Sequence, residues 1–133
     1  MSKITIFDTD QITVWYHTDK KIIHHMMHKY THGQVFRDAL MAGLEAMKKY
    51  RAQKWLSDDR NNPALGSEDT EWNKANWMPK AVEAGWKYWA IVQPKEFAAK
   101  YTLGTVVPDL TGRGIIVRMF NDPEKAMEWL ESQ

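Results

Sequence analysis

The chain has 133 residues, of which 44% are hydrophobic and 26% charged, and these fractions exclude a disordered, collagenous or membrane-spanning protein. Its 18 lysines and arginines nearly balance its 17 aspartates and glutamates, so it lacks the basic excess of a nucleic-acid-binding protein. The chain contains no cysteine, which excludes disulfides, thiolate nucleophiles and cysteine-bound metals.

The organisation of the chain predicts one cytoplasmic domain that covers residues 1–133. No repeat, linker or low-complexity segment divides it. Residues 1–6 lack the apolar run and the cleavage site of a signal peptide. No apolar stretch is long enough to cross a bilayer, so we expect no membrane insertion.

The first quarter of the chain has the alternating pattern of short strands, which we place near residues 3–7, 12–18 and 22–30. Ile12, Val14 and Tyr16 lie two residues apart with polar residues between them, as in a half-buried strand. Polar turns at residues 8–11 and 19–21 predict an antiparallel meander.

Two helices with a strand between them are predicted next. After Gly33 the apolar residues recur every three or four positions, which predicts an amphipathic helix to about Tyr50. Residues 54–58 form a predicted buried strand. A second helix is predicted from Ser67, as its N-cap, to about residue 84, with a kink where Pro79 removes a backbone hydrogen bond.

The remaining predicted elements alternate: a strand from Trp86 to Val92, a short helix opening at Pro94 and carrying Phe97 and Tyr101, a strand at residues 115–120, and a last helix with Asp122 as N-cap and Pro123 in its first position. Residues 111–114 are predicted to form a turn and not a phosphate loop, because a strand follows them. The order βββαβαβαβα predicts an α/β fold, in which parallel crossovers extend the antiparallel start into a mixed sheet of about six strands with helices packed on it.

Several segments carry a family resemblance: residues 54–61, Trp72, residues 85–92, residues 120–122, and Ala126, Trp129 and Leu130. With the order of elements, they make essentially the whole chain similar to the STAS, or SpoIIAA-like, fold of anti-sigma-factor antagonists, and more closely to small bacterial STAS/SEC14-like proteins. The resemblance implies a regulatory module that binds a protein partner.

Ser67 is a candidate phosphoacceptor on the strength of this resemblance. In the anti-sigma-factor antagonists, the partner kinase phosphorylates a serine at a helix start, within an Asp-Ser-Ser-Gly motif. This chain lacks that motif, but Ser67, preceded by Gly66, holds a comparable helix start. Helix capping explains the same serine without any phosphate.

All five histidines lie in the first quarter of the chain: His17, His24, His25, His28 and His32. On a helix, His24 and His28 would share a face and could bind zinc. On the predicted strand they are roughly 13 Å apart, which is too far for one ion. We therefore expect no metal site here, and a strand whose histidines pack or titrate.

Asp58, Asp59 and Arg60 follow a predicted buried strand, at the end where open α/β sheets bind ligands. Paired carboxylates there could bind a cation or act as acid and base. The same residues are also typical of a solvated turn, in which Asp58 caps the loop or pairs with Arg60.

Two functional hypotheses follow. The first, which we favour, is a non-enzymatic regulatory or protein-interaction module of STAS type, acting through the loop at residues 58–60 and the helix at Ser67, and dimerising through the aromatic meander. The second is a small-ligand-binding protein or enzyme, with Asp58, Asp59, Arg60 and Trp72 around a pocket. A closed polar cavity at this edge would favour the second. No catalytic triad or cofactor motif is recognisable, so the sequence favours a protein without catalytic activity or cofactor.

Overall fold

The computed structural model of the chain describes residues 2–62, 65–93 and 106–133. Its strands are β1 (Lys3–Asp8), β2 (Ile12–His17), β3 (Ile22–Met27), β4 (Lys54–Asp58), β5 (Tyr88–Val92) and β6 (Ile116–Phe120). Its helices are α1 (Gly33–Tyr50), α2 (Ser67–Trp72), α3 (Met78–Glu83), α4 (Val106–Gly112) and α5 (Pro123–Glu131), with a π-helical turn at Asn73–Trp77 between α2 and α3. The predicted helix at Pro94, with Phe97 and Tyr101, lies outside the described residues.

The six described strands form one sheet in the order β1-β2-β3-β4-β5-β6, so each strand pairs with the strand before it in the chain. β1, β2 and β3 pair antiparallel, whereas β3, β4, β5 and β6 pair parallel. The predicted α/β class and mixed sheet are therefore confirmed. At the β1 edge, the pairing register shifts between Thr5 and Phe7.

Helices cover both faces of the sheet. α1 and the stretch from α2 to α3 contact each other on one face, while α5 contacts β4, β5 and β6 on the other. Right-handed crossovers that advance in one direction along a sheet place their helices on the same side. This explains why the two connections, from β3 to β4 and from β4 to β5, share a face.

The hydrophobic core consequently has two parts. Alternation along a strand sends neighbouring residues to opposite faces, so Ile22 and Ile23 of β3, both fully buried, belong to different parts. The larger part lies under α1 and α3, and its most buried large side chains include Val14, Leu44, Trp55 and Trp86. The smaller part lies under α5 and contains Ile22, Leu56, Ala90, Val92, Ala126 and Leu130.

Helix α1 approaches the sheet closely at Gly43. A Cβ atom at this position would overlap the indole ring of Trp55, which is 1% exposed. The start of α1 is held by a residue of α2, because Asp69 Oδ2 accepts a hydrogen bond from the Gly33 backbone N–H at 2.9 Å. Asp69 thus satisfies a backbone donor that α1 itself leaves without a partner.

Some predicted boundaries were wrong. β3 ends at Met27, since Thr31 Oγ1 donates to the Lys29 carbonyl and turns the chain there. β5 begins at Tyr88, because the Trp86 backbone N–H instead binds the Ala81 carbonyl and ends α3. The N-cap of α2 is Gly66, whose backbone is extended, and the predicted cap Ser67 is the first helical residue.

The predictions for the C-terminal third had mixed outcomes. α4 was not predicted, and Thr111 and Gly112, which were predicted as turn, are its last residues. The last helix is confirmed, since Asp122 Oδ1 accepts the Glu124 backbone N–H at 2.9 Å and Pro123 lies in the first turn.

The predicted irregularity at Pro79 is a π-helical turn that ends just before α3. There the Met78 backbone N–H binds the Asn73 carbonyl, five residues back. Because Pro79 has no N–H and its ring crowds the turn before it, a wider turn accommodates it. Such π-helical turns occur often at functional sites.

None of the helices in the described part of the chain has the length and hydrophobicity needed to cross a membrane.

Candidate functional site

A pocket of about 60 Å³ lies on the α1 face of the sheet, toward the carboxyl ends of β3, β4 and β5. We call it the strand-end pocket. Its apolar walls are Met27, Phe36, Leu40, Trp55, Leu65, Trp77, Met78 and Trp89, and its polar walls are His25, Ser57, Asp59, Asn62, Thr70, Asn73 and Gln93. Apolar walls with a few convergent polar groups, placed at the ends of parallel strands, are typical of a ligand site.

His25 is held between two partners in the wall of this pocket. Trp55 Nε1 donates to His25 Nδ1 at 3.0 Å, so the hydrogen of the neutral ring is on Nε2. Nε2 in turn donates to Asp59 Oδ1 at 2.7 Å. The His25 side chain is 5% exposed and that of Asp59 19%. The buried imidazole therefore orients a carboxylate that still reaches the pocket.

Ser57 lies beside His25 on the next strand of the sheet, since β3 and β4 pair at these two residues. Trp89 Nε1 donates to Ser57 Oγ at 2.8 Å. Because Oγ is the acceptor in this bond and no described residue accepts the hydroxyl hydrogen of Ser57, that hydrogen can donate toward the pocket.

The π-helical turn brings Asn73 and Trp77 to the same pocket. Trp77 Nε1 donates to the Leu40 carbonyl at 2.7 Å, which fixes its ring against α1. Asn73 Oδ1 is buried and has no hydrogen-bond partner among the described residues. Native proteins leave few buried polar atoms without a hydrogen-bond partner, so the unpaired Asn73 Oδ1 needs an explanation.

Of the predicted site residues, Asp59 lines the pocket, while Asp58 and Arg60 bind each other. Asp58 lies on the opposite face of β4 and is 3% exposed. Arg60 Nε and one of its terminal nitrogens donate to the two Asp58 oxygens at 2.9 and 2.8 Å. This hydrogen bonding raises the pKa of Arg60. The structural alternative for Asp58, a pair with Arg60, is the one observed.

Ser67 and Trp72 also lie outside the pocket lining. Ser67 is exposed at the start of α2, and its side chain makes no hydrogen bond with another described residue. Trp72 packs edge-on against Phe36, and the Arg37 guanidinium lies 5.3 Å from its ring centre. The structure thus brings one of the five predicted residues, Asp59, to the pocket.

The histidines are divided between environments. His17 Nε2 and His24 Nδ1 are 3.1 Å apart on the face opposite the pocket, and His28 Nε2 is 2.8 Å from Thr13 Oγ1. Burial, together with His17 and His25, lowers the pKa of His24 to about 3. Within residues 2–62, 65–93 and 106–133, no group of three or more histidine, aspartate or glutamate side chains comes together to hold a metal ion.

A second depression, of about 160 Å³, lies near the opposite edge and is lined by Ser2, Lys3, His17, Asp19 and Lys20. Three of these residues, Ser2, Lys3 and Asp19, are exposed. It is larger than the strand-end pocket, but its described lining includes no hydrophobic side chain, whereas ligand pockets are lined mostly by such side chains. We therefore treat the strand-end pocket as the candidate site.

Sequence reasoning missed His25, Ser57 and Asn73 as parts of the site. His25 and Ser57 are brought together by parallel pairing of strands separated by the whole of α1. Asn73 faces the pocket through the π-helical turn, for which Pro79 was the only signal in the sequence.

Comparison with known proteins finds no match: no family model, no curated protein and no solved structure matches the chain.

Proposed function

We propose that the protein binds a small organic molecule in the strand-end pocket. The observation that carries this proposal is the buried Asn73 Oδ1, which has no partner within the described residues and lies in the wall of an apolar pocket. An unpaired buried acceptor costs about 1–3 kcal/mol, and a bound hydrogen-bond donor would offset that cost.

Binding, rather than catalysis, is the activity that these contacts support. Both ring nitrogens of His25 are already engaged, by Trp55 and by Asp59, so the imidazole has no free nitrogen to act as a base. Ser57 Oγ accepts from Trp89 and has no histidine bonded to it that would activate it as a nucleophile. The pocket volume of about 60 Å³ is below the roughly 150 Å³ of a cavity that encloses benzene, so it takes a small group of a larger molecule.

The test is a screen of small cationic, neutral and anionic molecules against the wild type and Asn73→Phe. The larger ring fills the pocket, and the Asn73 side chain has no hydrogen bond to another described residue that the substitution would remove, so we expect the variant to fold and to lose binding. Binding is read from the indole N–H signals of Trp55, Trp77 and Trp89 in proton–nitrogen NMR spectra.

The matched control is Asn76→Phe, because Asn76 is exposed near the end of the same π-helical turn. We expect this variant to retain binding. Molecules that move the three tryptophan signals equally in wild type and Asn73→Phe would contradict the proposal, as would a screen without a single saturable hit.

A regulatory or protein-interaction module of STAS type, with a SpoIIAA-like fold, is our second proposal. The observation that favours it is an exposed aromatic pair near the same edge of the sheet: Tyr30 is 57% exposed and its ring stacks on His32 at 4.7 Å. This pair adjoins the start of α1, which Asp69 of α2 holds.

Light scattering tests the homodimer form of this second proposal. A dimeric wild type that becomes monomeric in Tyr30→Ala would support it, and Tyr88→Ala, on the other face of the sheet, is the control. A monomeric wild type would contradict the homodimer. A phosphate on Ser67 of protein from its native cells would support regulation by a kinase.

A further inference from the structure

We infer that the strand-end pocket selects a cationic hydrogen-bond donor, such as an ammonium or amidinium group on an apolar body, and rejects carboxylates and phosphates. The inference rests on the proposed function, because it names the ligand class of the same pocket. It is carried by the charges and the hydrogen-bonding capacity of the residues that line the pocket.

The charge of the lining is negative. Among the described residues of the lining, Asp59 is the one carboxylate, and neither lysine nor arginine occurs. Its neighbour His25 is neutral, since Trp55 donates to one of its ring nitrogens. Arg60, the nearest guanidinium in sequence, is paired with Asp58 on the other face of the sheet. No described cation of the lining therefore offsets the Asp59 charge, and an anion placed in the pocket would be repelled by it.

The lining offers hydrogen-bond acceptors in addition to its negative charge. The Trp55 and Trp89 N–H groups are used within the wall, on His25 and Ser57 respectively. Asn62 donates its amide hydrogens to the Thr31 carbonyl and Met27 Sδ. The groups left without a described partner include one Asp59 oxygen and the Asn73 Oδ1, both acceptors, and the Asn73 amide hydrogens and the Ser57 hydroxyl hydrogen, which are donors. Of the Asn73 atoms, the oxygen is the buried one.

An amidinium or ammonium group matches this arrangement because it carries several N–H donors and a positive charge. Charge-assisted hydrogen bonds to a carboxylate are about twice as strong as neutral ones. The Asp59 carboxylate is also held in place by His25 before any ligand arrives, so little ordering is required when a ligand binds. The small volume admits such a head group, and the apolar side chains of the lining favour a ligand with an apolar body.

The test compares benzamidinium, benzamide and benzoate, which share one planar shape and carry charges of opposite sign or none. The readout is the three indole N–H signals of Trp55, Trp77 and Trp89, with those of Trp15 and Trp129, which do not line the pocket, as internal references. We expect benzamidinium to bind at least about tenfold more tightly than benzamide, a difference of about 1.4 kcal/mol. Benzoate should give no saturable shift.

The variant Asp59→Asn tests whether the Asp59 carboxylate causes the preference for benzamidinium over benzamide. The asparagine oxygen can still accept the His25 hydrogen bond, so the wall is retained while the charge is removed. We expect the variant to lose the tenfold preference for benzamidinium and to bind benzamide as the wild type does. The control Asp38→Asn removes the same charge from the exposed face of α1 and should leave all three affinities unchanged.

Benzoate or benzamide binding as tightly as benzamidinium would overturn this inference and leave the proposed function intact, provided that Asn73→Phe abolishes the shifts. Retention of the benzamidinium preference in Asp59→Asn would also overturn it. If none of the three probes moves the pocket signals, the inference is wrong, and the broader screen with Asn73→Phe then decides the proposed function separately.

Discussion

His24 and His25 are neighbours in β3, yet they have different surroundings because successive residues of a strand face opposite sides of the sheet. His25 faces the strand-end pocket and bonds to Trp55 and Asp59. His24 faces the other side, where its Nδ1 meets His17 and its Nε2 is buried without a partner among the described residues. Burial of the His24 imidazole disfavours its protonation in the folded state.

Protonation of His24 is therefore expected to destabilise the protein in acid. Its pKa falls from the ordinary 6.5 to about 3 on folding. A lowered histidine pKa stabilises the fold fully above pH 6.5, and this contribution is lost as the pH falls toward 3. We expect a loss of roughly 1.4 kcal/mol per pH unit across that window from this residue.

Urea unfolding at a series of pH values measures this effect as the difference between wild type and His24→Gln. The variant should lose less stability than the wild type on acidification. His32→Gln, at an exposed histidine, should follow the wild-type profile. A His24→Gln profile parallel to that of the wild type would show that another group is responsible.

Helix α1 depends on a close contact between its backbone and a strand. Gly43 leaves room for the buried Trp55 indole, and that indole also holds His25 in the wall of the strand-end pocket. The packing of one helix on one strand thus sets the position of a side chain in the candidate site.

Gly43→Ala is expected to destabilise the protein. Overpacking a core costs about 1–3 kcal/mol. Alanine regains roughly 1 kcal/mol of helix propensity over glycine, so we expect a net loss of about 1 kcal/mol. Denaturant unfolding measures it, and displacement of Trp55 should also shift its indole N–H signal.

Gly112→Ala is the matched control, because a Cβ at this helical glycine meets no atom within 4 Å. It should leave the free energy of unfolding unchanged or slightly raise it. Equal effects of the two substitutions on the free energy of unfolding would mean that the Trp55 indole can move aside without loss of stability.

Elements with strong local signals could be predicted from the sequence, and elements held by distant contacts could not. The alternation of Ile12, Val14 and Tyr16, and the Asp122-Pro123 helix start, lie within a few residues and identified their elements. α4 combines valines, a proline and a C-terminal glycine, which are poor helix formers. It forms around the fully buried Leu110, with an Asp109–Arg113 ion pair on its surface.

The same limit applies to the candidate site. The end of the strand at residues 54–58 was predicted as the position of a site, and Asp59 does line the pocket. His25 and Asn73, which line the same pocket, belong to other elements. Their positions in the pocket depend on strand register and on the π-helical turn. Neither of these can be inferred from residue types along one segment.

At the scale of the whole molecule, the single sheet separates two hydrophobic cores of different composition. The larger core contains the tryptophans Trp55, Trp77, Trp86 and Trp89 and the strand-end pocket, whereas the fully buried residues of the smaller core, under α5, are aliphatic. The strand-end pocket and the core beneath α5 therefore lie on opposite faces of the sheet.

The strand order also implies a sequence of events in time. Each described strand after β1 is hydrogen-bonded to the strand before it in the chain, so the sheet can form in the order in which its strands are synthesised. The first core can start to form once α1 returns to β1–β3, before β4 has been synthesised. The second core requires Ile22, Leu56 and Ala90 together with Ala126 and Leu130 of α5, so a nascent protein keeps one face of its sheet uncovered until α5 has been synthesised.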